Sequence, residues 1–184
     1  MYFTNKDLTL IGIVSAVGLG LGFLIGMPTR ALTGMPFIGS LLAGPPRVLL
    51  TLIALCRIKK VGVVTFIELI YALTSFLKPG GFPFAFFSPL IGGVVTDLAF
   101  WCIKGNNFQL NLGQGALLGG ILNLSKPIST LIFFMVLGLP AKKMILRHPL
   151  LVSGLLSGSL MLGSLAGLLG AKIGKELRSI GLLT

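Results

Sequence analysis

The sequence predicts an all-α integral membrane protein, a bundle of six transmembrane helices. Three observations predict it. Of 184 residues, 54% are hydrophobic and only 10% are charged, whereas a soluble domain carries about 25% charged residues. The mean hydropathy is +1.01. Apolar stretches of membrane length recur along the whole chain, and the basic residues fall between them, as Arg57/Lys59/Lys60, Lys142/Lys143/Arg147 and Lys172/Lys175/Arg178. Charges so placed orient a membrane protein. The net charge of +11 is therefore not a nucleic-acid signal, since basic stripes with interleaved aromatics are missing.

A helix needs about 20 apolar residues to cross the hydrocarbon core. The first span is 8–26, too long for a signal-peptide core and preceded by little positive charge, so it reads as a retained helix. Pro28, Gly34 and Pro36 mark 27–36 as a loop. The second span, 37–56, carries Pro45-Pro46 inside it. A proline pair frees backbone carbonyls that lipid does not satisfy, so a broken or re-entrant helix is expected there. Arg57–Lys60 closes it. The third span is 61–77, ended by the turn Lys78-Pro79-Gly80-Gly81. The fourth is 84–103, ended by Lys104-Gly105-Asn106-Asn107. The fifth, 112–138, holds Lys126-Pro127 in its middle and is the second helix expected to break. If Pro127–Leu146 crosses separately, the spans number seven. The sixth is 149–171, rich in glycine and serine, followed by a basic tail. Residues 1–184 form a single membrane domain. The excess of basic residues after the second and sixth spans puts both termini in the cytoplasm, although Lys142, Lys143 and Arg147 count against it.

The chain has four acidic residues, and Glu68 and Asp97 lie inside apolar spans. Ionisable groups there are costly and mark function by default. Glu68 shares a helix face with Tyr71, and Arg47 and Lys126 are the internal cations, each beside a proline. Two readings stand side by side. The carboxylates form buried ion pairs that hold the bundle, or they belong to a polar solute pocket of Glu68, Tyr71, Arg47, Asn123 and Lys126, walled by Phe84 and Phe87 from the aromatic run after the turn. Asp97, near the end of its span, is expected to act on stability more than on solute binding.

Gly12, Ala16 and Gly20 stand four apart on one face of the first helix, and Gly18, Gly22 and Gly26 form a second row. Gly154/Gly158 and Ser159/Gly163/Gly167 repeat the device in the sixth span. Such rows permit close helix approach, within the chain or with a partner. Enzyme chemistry has little to work with. One histidine, His148, and two remote cysteines, Cys56 and Cys102, offer no metal spacing, and neither a P-loop nor a nucleophile elbow is present. The chain is thus expected not to be an enzyme, to hold no metal or cofactor, and to rely on partners for any ATP hydrolysis.

Three stretches carry a resemblance. Lys60-Val61-Gly62 with Glu68-Leu69-Ile70-Tyr71-Ala72-Leu73 resembles the third-helix region of thiamine-precursor S components. Pro89-Leu90-Ile91-Gly92-Gly93-Val94-Val95-Thr96-Asp97 resembles the glycine-containing helix ending in an acidic residue of several such proteins. Gly12/Ala16/Gly20 stands where they have a small-xxx-small motif. The chain therefore resembles the substrate-binding S component of an energy-coupling-factor (ECF) vitamin transporter. The resemblance implies high-affinity uptake of a vitamin or vitamin precursor, such as a thiamine-related pyrimidine. It also implies docking by the first helix on a transmembrane coupling protein with two ATPase subunits, toppling of the whole subunit in the membrane, and a lid at 27–36. The His-rich N-terminal sequence of the nickel and cobalt members is missing, so no metal-ion cargo is implied. The alternative is a small membrane scaffold or assembly protein whose glycine rows hold its partners.

Overall fold

The computed structural model describes residues 3–33, 36–74, 84–104, 110–136 and 149–179. These residues form six helices: α1 (Asn5–Thr33), α2 (Pro36–Ile58), α3 (Val63–Leu73), α4 (Phe84–Ile103), α5 (Leu112–Val136) and α6 (Pro149–Ser179). All but α3 are long and apolar enough to cross a membrane. The architecture is the expected six-helix all-α bundle.

Local chemistry sets the helix ends. Thr4 and Asp7 form a reciprocal cap on α1: the Asp7 N–H donates to Thr4 Oγ1 (3.3 Å) and the Thr4 N–H to Asp7 Oδ2 (2.9 Å). Asp7 also pairs with Lys60 Nζ at 2.7 Å, which ties the start of α1 to the α2–α3 turn. That turn is tight. Lys59 stops α2 at φ 53°, its N–H donating to the Leu55 carbonyl (2.9 Å), and Gly62 takes φ 99° just before α3. Gln114 Oε1 accepts the Asn111 N–H (3.0 Å) and closes a cap on α5.

Several boundaries differ from expectation. α1 continues through Pro28 to Thr33, so most of 27–36 is helix and not a loop. α2 is continuous over Pro45-Pro46, and α5 over Pro127. Pro127 leaves the Asn123 carbonyl, four residues earlier, without its helical donor. Hydroxyls gather instead at the carbonyl just before the proline: Thr130 Oγ1, Ser129 Oγ and, from α4, Ser88 Oγ lie 2.9–3.0 Å from the Lys126 carbonyl and tie α4 to α5 at this level. Residues 127–136 belong to α5, while 137–148, with Lys142, Lys143, Arg147 and His148, lie outside the described residues. So does the 78–81 turn. α6 runs past 171 to Ser179.

Cross-helix contacts put the start of α1, the end of α2, the start of α3, the end of α4, the start of α5 and the end of α6 at one end of the bundle. The core at this end and in the middle is apolar: Val48, Leu52, Leu55, Val63, Val64, Ile67, Phe100, Leu118 and Leu122 are fully buried. The outside is apolar too, with Leu24, Trp101, Val136, Leu150 and Leu165 exposed. A surface so apolar suits lipid and not water.

α5 and α6 approach through glycine. A Cβ on Gly119 would strike the Gly163 carbonyl, and one on Gly115 would come within 2.5 Å of the Ala171 Cβ. α6 meets α2 in the same way: a Cβ on Gly170 would lie 3.0 Å from the Leu49 carbonyl oxygen. The row Ser159/Gly163/Gly167 is therefore internal packing. Gly119→Ala is expected to cost about 1–3 kcal/mol by overpacking, whereas Gly154→Ala, where an added Cβ meets nothing within 4 Å, is expected to be neutral or mildly stabilising. Thermal unfolding of both variants in detergent checks this. Equal melting temperatures would mean that α5 and α6 are not packed this closely.

Candidate functional site

α3 carries the centre of the polar cluster, and α4 sets where α3 begins. Gly62 has no side chain with which to cap α3. The Asp97 carboxylate of α4 does so instead. It accepts the Thr65 N–H (2.7 Å), the Thr65 hydroxyl (2.6 Å) and, more weakly, the Val64 N–H (3.4 Å). A carboxylate on the first-turn N–H groups of a helix is stabilised by their unpaired donors and the helix dipole. Among the described residues Asp97 is in no ion pair. Gly93, one turn earlier on α4, lets α3 come close: a Cβ there would lie 2.9 Å from Thr65 Cα and 3.1 Å from Glu68 Cβ.

One turn beyond Thr65, Glu68 is fully buried. Its Oε1 accepts a hydrogen bond from Lys126 Nζ of α5 at 2.8 Å. Lys126 is held through its backbone, whose carbonyl takes the hydroxyls described above. Arg47 of α2 lies with its guanidinium carbon 4.2 Å from the centre of the Tyr71 ring, and Lys126 Nζ lies 6.0 Å from the same centre. Two cations thus face one aromatic ring, and one of them, Lys126, also meets the Glu68 carboxylate. Arg47 Nε also makes a long bond to the Gly18 carbonyl of α1 (3.4 Å). The row Gly18/Gly22 makes room for this cluster. A Cβ on Gly18 would strike the Tyr71 hydroxyl, and one on Gly22 would lie 3.1 Å from Arg47 Nε.

Asn123 of α5 is buried at the next position along. Its Nδ2 donates to the Ser159 carbonyl of α6 (2.8 Å), and its side-chain oxygen packs where Gly44 of α2 has no Cβ. Arg47, Glu68, Tyr71, Asn123 and Lys126 therefore come from three helices into one band, in which Lys126 pairs with Glu68 and both cations lie near the Tyr71 ring. Phe87 does not join them. It is 41% exposed and stacks with Phe86 (5.3 Å) and Phe133 (5.6 Å) on the outer face. α4 begins at Phe84, but its side chain lies outside the described residues.

Three buried polar atoms have no hydrogen-bond partner among the described residues: Glu68 Oε2, Tyr71 Oη and Thr51 Oγ1. An unmet buried polar atom costs about 1–3 kcal/mol. Thr51 was not singled out from the sequence. A threonine in an apolar helix carries no signal of its own, and only its one-turn spacing from Arg47 points to it.

On the docking side, Gly12, Ala16 and Gly20 are all exposed, and a Cβ on Gly12 or Gly20 would meet nothing within 4 Å. Ile13, Val17 and Leu24 flank the row and are also exposed. The two glycine rows of α1 thus divide: Gly18, Gly22 and Gly26 face the bundle, and Gly12, Ala16 and Gly20 face away from it.

A family described as a hypothetical bacterial integral membrane protein (Trep_Strep) matches residues 5–113. That is more than half of the chain, and the chain belongs to this family. The match covers α1 to α4 with Arg47, Glu68, Tyr71 and Asp97, and stops short of Asn123 and Lys126. No curated protein and no solved structure matches the chain.

The cap implies a clear outcome for Asp97→Asn. The variant loses the charged acceptor on the α3 N-terminus and is expected to lose about 1–2 kcal/mol of stability. Thr65→Val removes the hydroxyl half of the same contact. In a double-mutant cycle by thermal or denaturant unfolding, the two losses are expected to be less than additive. Full additivity would show that the two side chains act independently.

Proposed function

We propose that this member of a bacterial integral-membrane family is the substrate-binding subunit, or S component, of an ECF-type uptake transporter. The observation that carries the proposal is the pair of unmet polar atoms, Glu68 Oε2 and Tyr71 Oη, beside a buried ion pair. A bundle needing only an internal salt bridge would be better served with both carboxylate oxygens satisfied. A solute that donates to Glu68 Oε2 and accepts from Tyr71 Oη completes the cluster. A vitamin or vitamin precursor of the thiamine-related pyrimidine type has that chemistry. Its exocyclic amine donates, its ring nitrogen accepts, and its flat ring suits a site with an aromatic side chain and a guanidinium plane.

The partner side of the proposal rests on Gly12, Ala16 and Gly20. This row fits the face by which such a subunit docks on a transmembrane coupling protein, with two ATPase subunits supplying ATP hydrolysis. The chain itself is proposed to be no enzyme. It lies in the cell membrane with both termini cytoplasmic, the end richer in basic residues facing inward. The second reading, a membrane scaffold, is favoured by the closed Glu68–Lys126 pair, which by itself accounts for burying one carboxylate.

Two measurements separate these. Glu68→Gln leaves Lys126 without its counter-charge under either reading. If a solute contacts Glu68, affinity for the ligand found in a radiolabelled vitamin panel, including thiamine and its aminopyrimidine half, is expected to fall by roughly 1.5–3 kcal/mol. A scaffold binds no member of the panel, and its Glu68→Gln variant shows only a lowered melting temperature.

Gly12→Leu and Gly20→Leu are expected to leave ligand affinity near normal and to abolish cellular uptake, because a bulky side chain holds the coupling protein away. Since an added Cβ at either position meets nothing within 4 Å among the described residues, loss of ligand binding in these variants would sink the docking assignment.

A further inference from the structure

The end of the bundle where α1 begins and α6 finishes holds a second feature, which the solute site does not use. A cavity of about 310 Å³ opens between the end of α2, the start of α5 and the last turns of α6. Lys59, Lys175 and Arg178 line it, together with Cys56, Asn111 and Gly174. Gly174 keeps it narrow at the base, where a Cβ would lie 2.9 Å from the Cys56 sulfur.

The charge around it is one-sided. This end of the bundle carries Lys6, Arg57, Lys59, Lys60, Lys104, Lys172, Lys175 and Arg178 against Asp7, Asp97 and Glu176. Asp7 is engaged by Lys60, and Asp97 by the cap of α3. Glu176 is exposed and is not part of the cavity wall. Among the described residues, Lys59, Lys175 and Arg178 form no ion pair. Lys59 is also fixed in place. Its backbone is in the left-handed region, and its carbonyl accepts a hydrogen bond from Lys104 Nζ at 2.7 Å. Burial, and then the nearby charge of Arg178, pull the Lys59 ammonium below the usual lysine range. Neighbouring cations held in one cavity repel unless an anion joins them. The start of α5, at Asn111, adds the positive end of a helix dipole to the same wall.

We propose that this cavity binds a phosphate-bearing anion. Leu110, Leu112 and Ala171 complete its wall with apolar surface, which suits the headgroup and first acyl carbons of an anionic phospholipid. Basic pockets between membrane helices hold such headgroups by this chemistry. The assignment does not depend on the solute site: it concerns the start of α5 and the end of α6, and different residues.

Native mass spectrometry of the detergent-purified protein tests it, with phosphatidylglycerol and phosphatidylcholine offered in equal amounts. The wild type is expected to retain phosphatidylglycerol in preference. Lys59→Gln/Lys175→Gln/Arg178→Gln is expected to lose roughly tenfold or more of that retention, given the pull of each basic residue on an anionic lipid. Lys6→Gln/Lys172→Gln removes the same kind of charge outside the cavity and is expected to retain the lipid. Should the triple variant fail to fold, Lys175→Gln alone alters an exposed side chain and is still expected to weaken retention several-fold. Inorganic phosphate added to the wild type distinguishes the sources. If it displaces phosphatidylglycerol and raises the melting temperature by itself, the natural anion is a soluble phosphate compound. If it does neither while the lipid is retained, the anion is the lipid headgroup. Equal retention of both lipids with no response to phosphate overturns the proposal, as does unchanged retention in the cavity variants.

Discussion

Asp97 on the first turn of α3 is the contact on which the polar centre of this bundle rests. α3 is the shortest described helix, with 11 residues. It follows a turn in which Lys59 and Gly62 both have positive φ, so the turn ends in a conformation that provides no cap of its own. In lipid an uncapped helix start has no water to turn to. The carboxylate from α4 meets those donors and in doing so sets the height and rotation of α3. Glu68 and Tyr71 lie three and six residues beyond Thr65 on this short helix, so the cap that sets its rotation decides which neighbours they meet.

Glycine then allows the neighbours to be there. Gly93 brings α3 against α4, Gly18 and Gly22 leave room on α1 for the Tyr71 hydroxyl and the Arg47 guanidinium, and Gly44 leaves room on α2 for the Asn123 side chain. At Gly18, Gly22 and Gly44 a methyl group would displace a polar side chain, and at Gly93 it would press on the α3 backbone at Thr65. The glycine richness of the chain therefore serves two purposes. The α5–α6 row brings backbones together, and the scattered glycines of α1, α2 and α4 make space for polar groups in a bundle that is otherwise packed with aliphatic side chains.

Polar satisfaction has a gradient along the bundle. At the end with Asp97, carboxylates are met by backbone N–H groups, a hydroxyl and Lys60. In the middle, Glu68 is met at one oxygen only among the described residues. At the Pro127 level, hydroxyls from α4 and α5 attend to carbonyls. The incompletely met centre and the basic cavity at one end are thus separate features of one packing scheme. One concerns a buried carboxylate, and the other concerns uncompensated cations at the bundle end.

The sequence by itself determined the class of the protein and singled out Arg47, Glu68, Tyr71, Asn123 and Lys126, while it left the count between six and seven spans. Apolar length and the placement of basic clusters are local signals, and a lone carboxylate in an apolar span is conspicuous wherever it folds. It was less informative about helix interruption. Pro45-Pro46 and Pro127 read as breaks because proline removes a donor, yet both helices continue past them. The tertiary structure alone decided between like-looking elements. Asp97 caps a helix while Glu68 joins Lys126, because only α3 has an open N-terminus opposite Asp97. Phe87 faces outward with Phe86 and Phe133 instead of walling the band, since aromatic identity does not fix the rotation of α4. Of the two glycine rows on α1, one is filled by Tyr71 and Arg47 and the other is left open. Spacing four apart is the same for both, and only the position of α2 and α3 against α1 tells them apart.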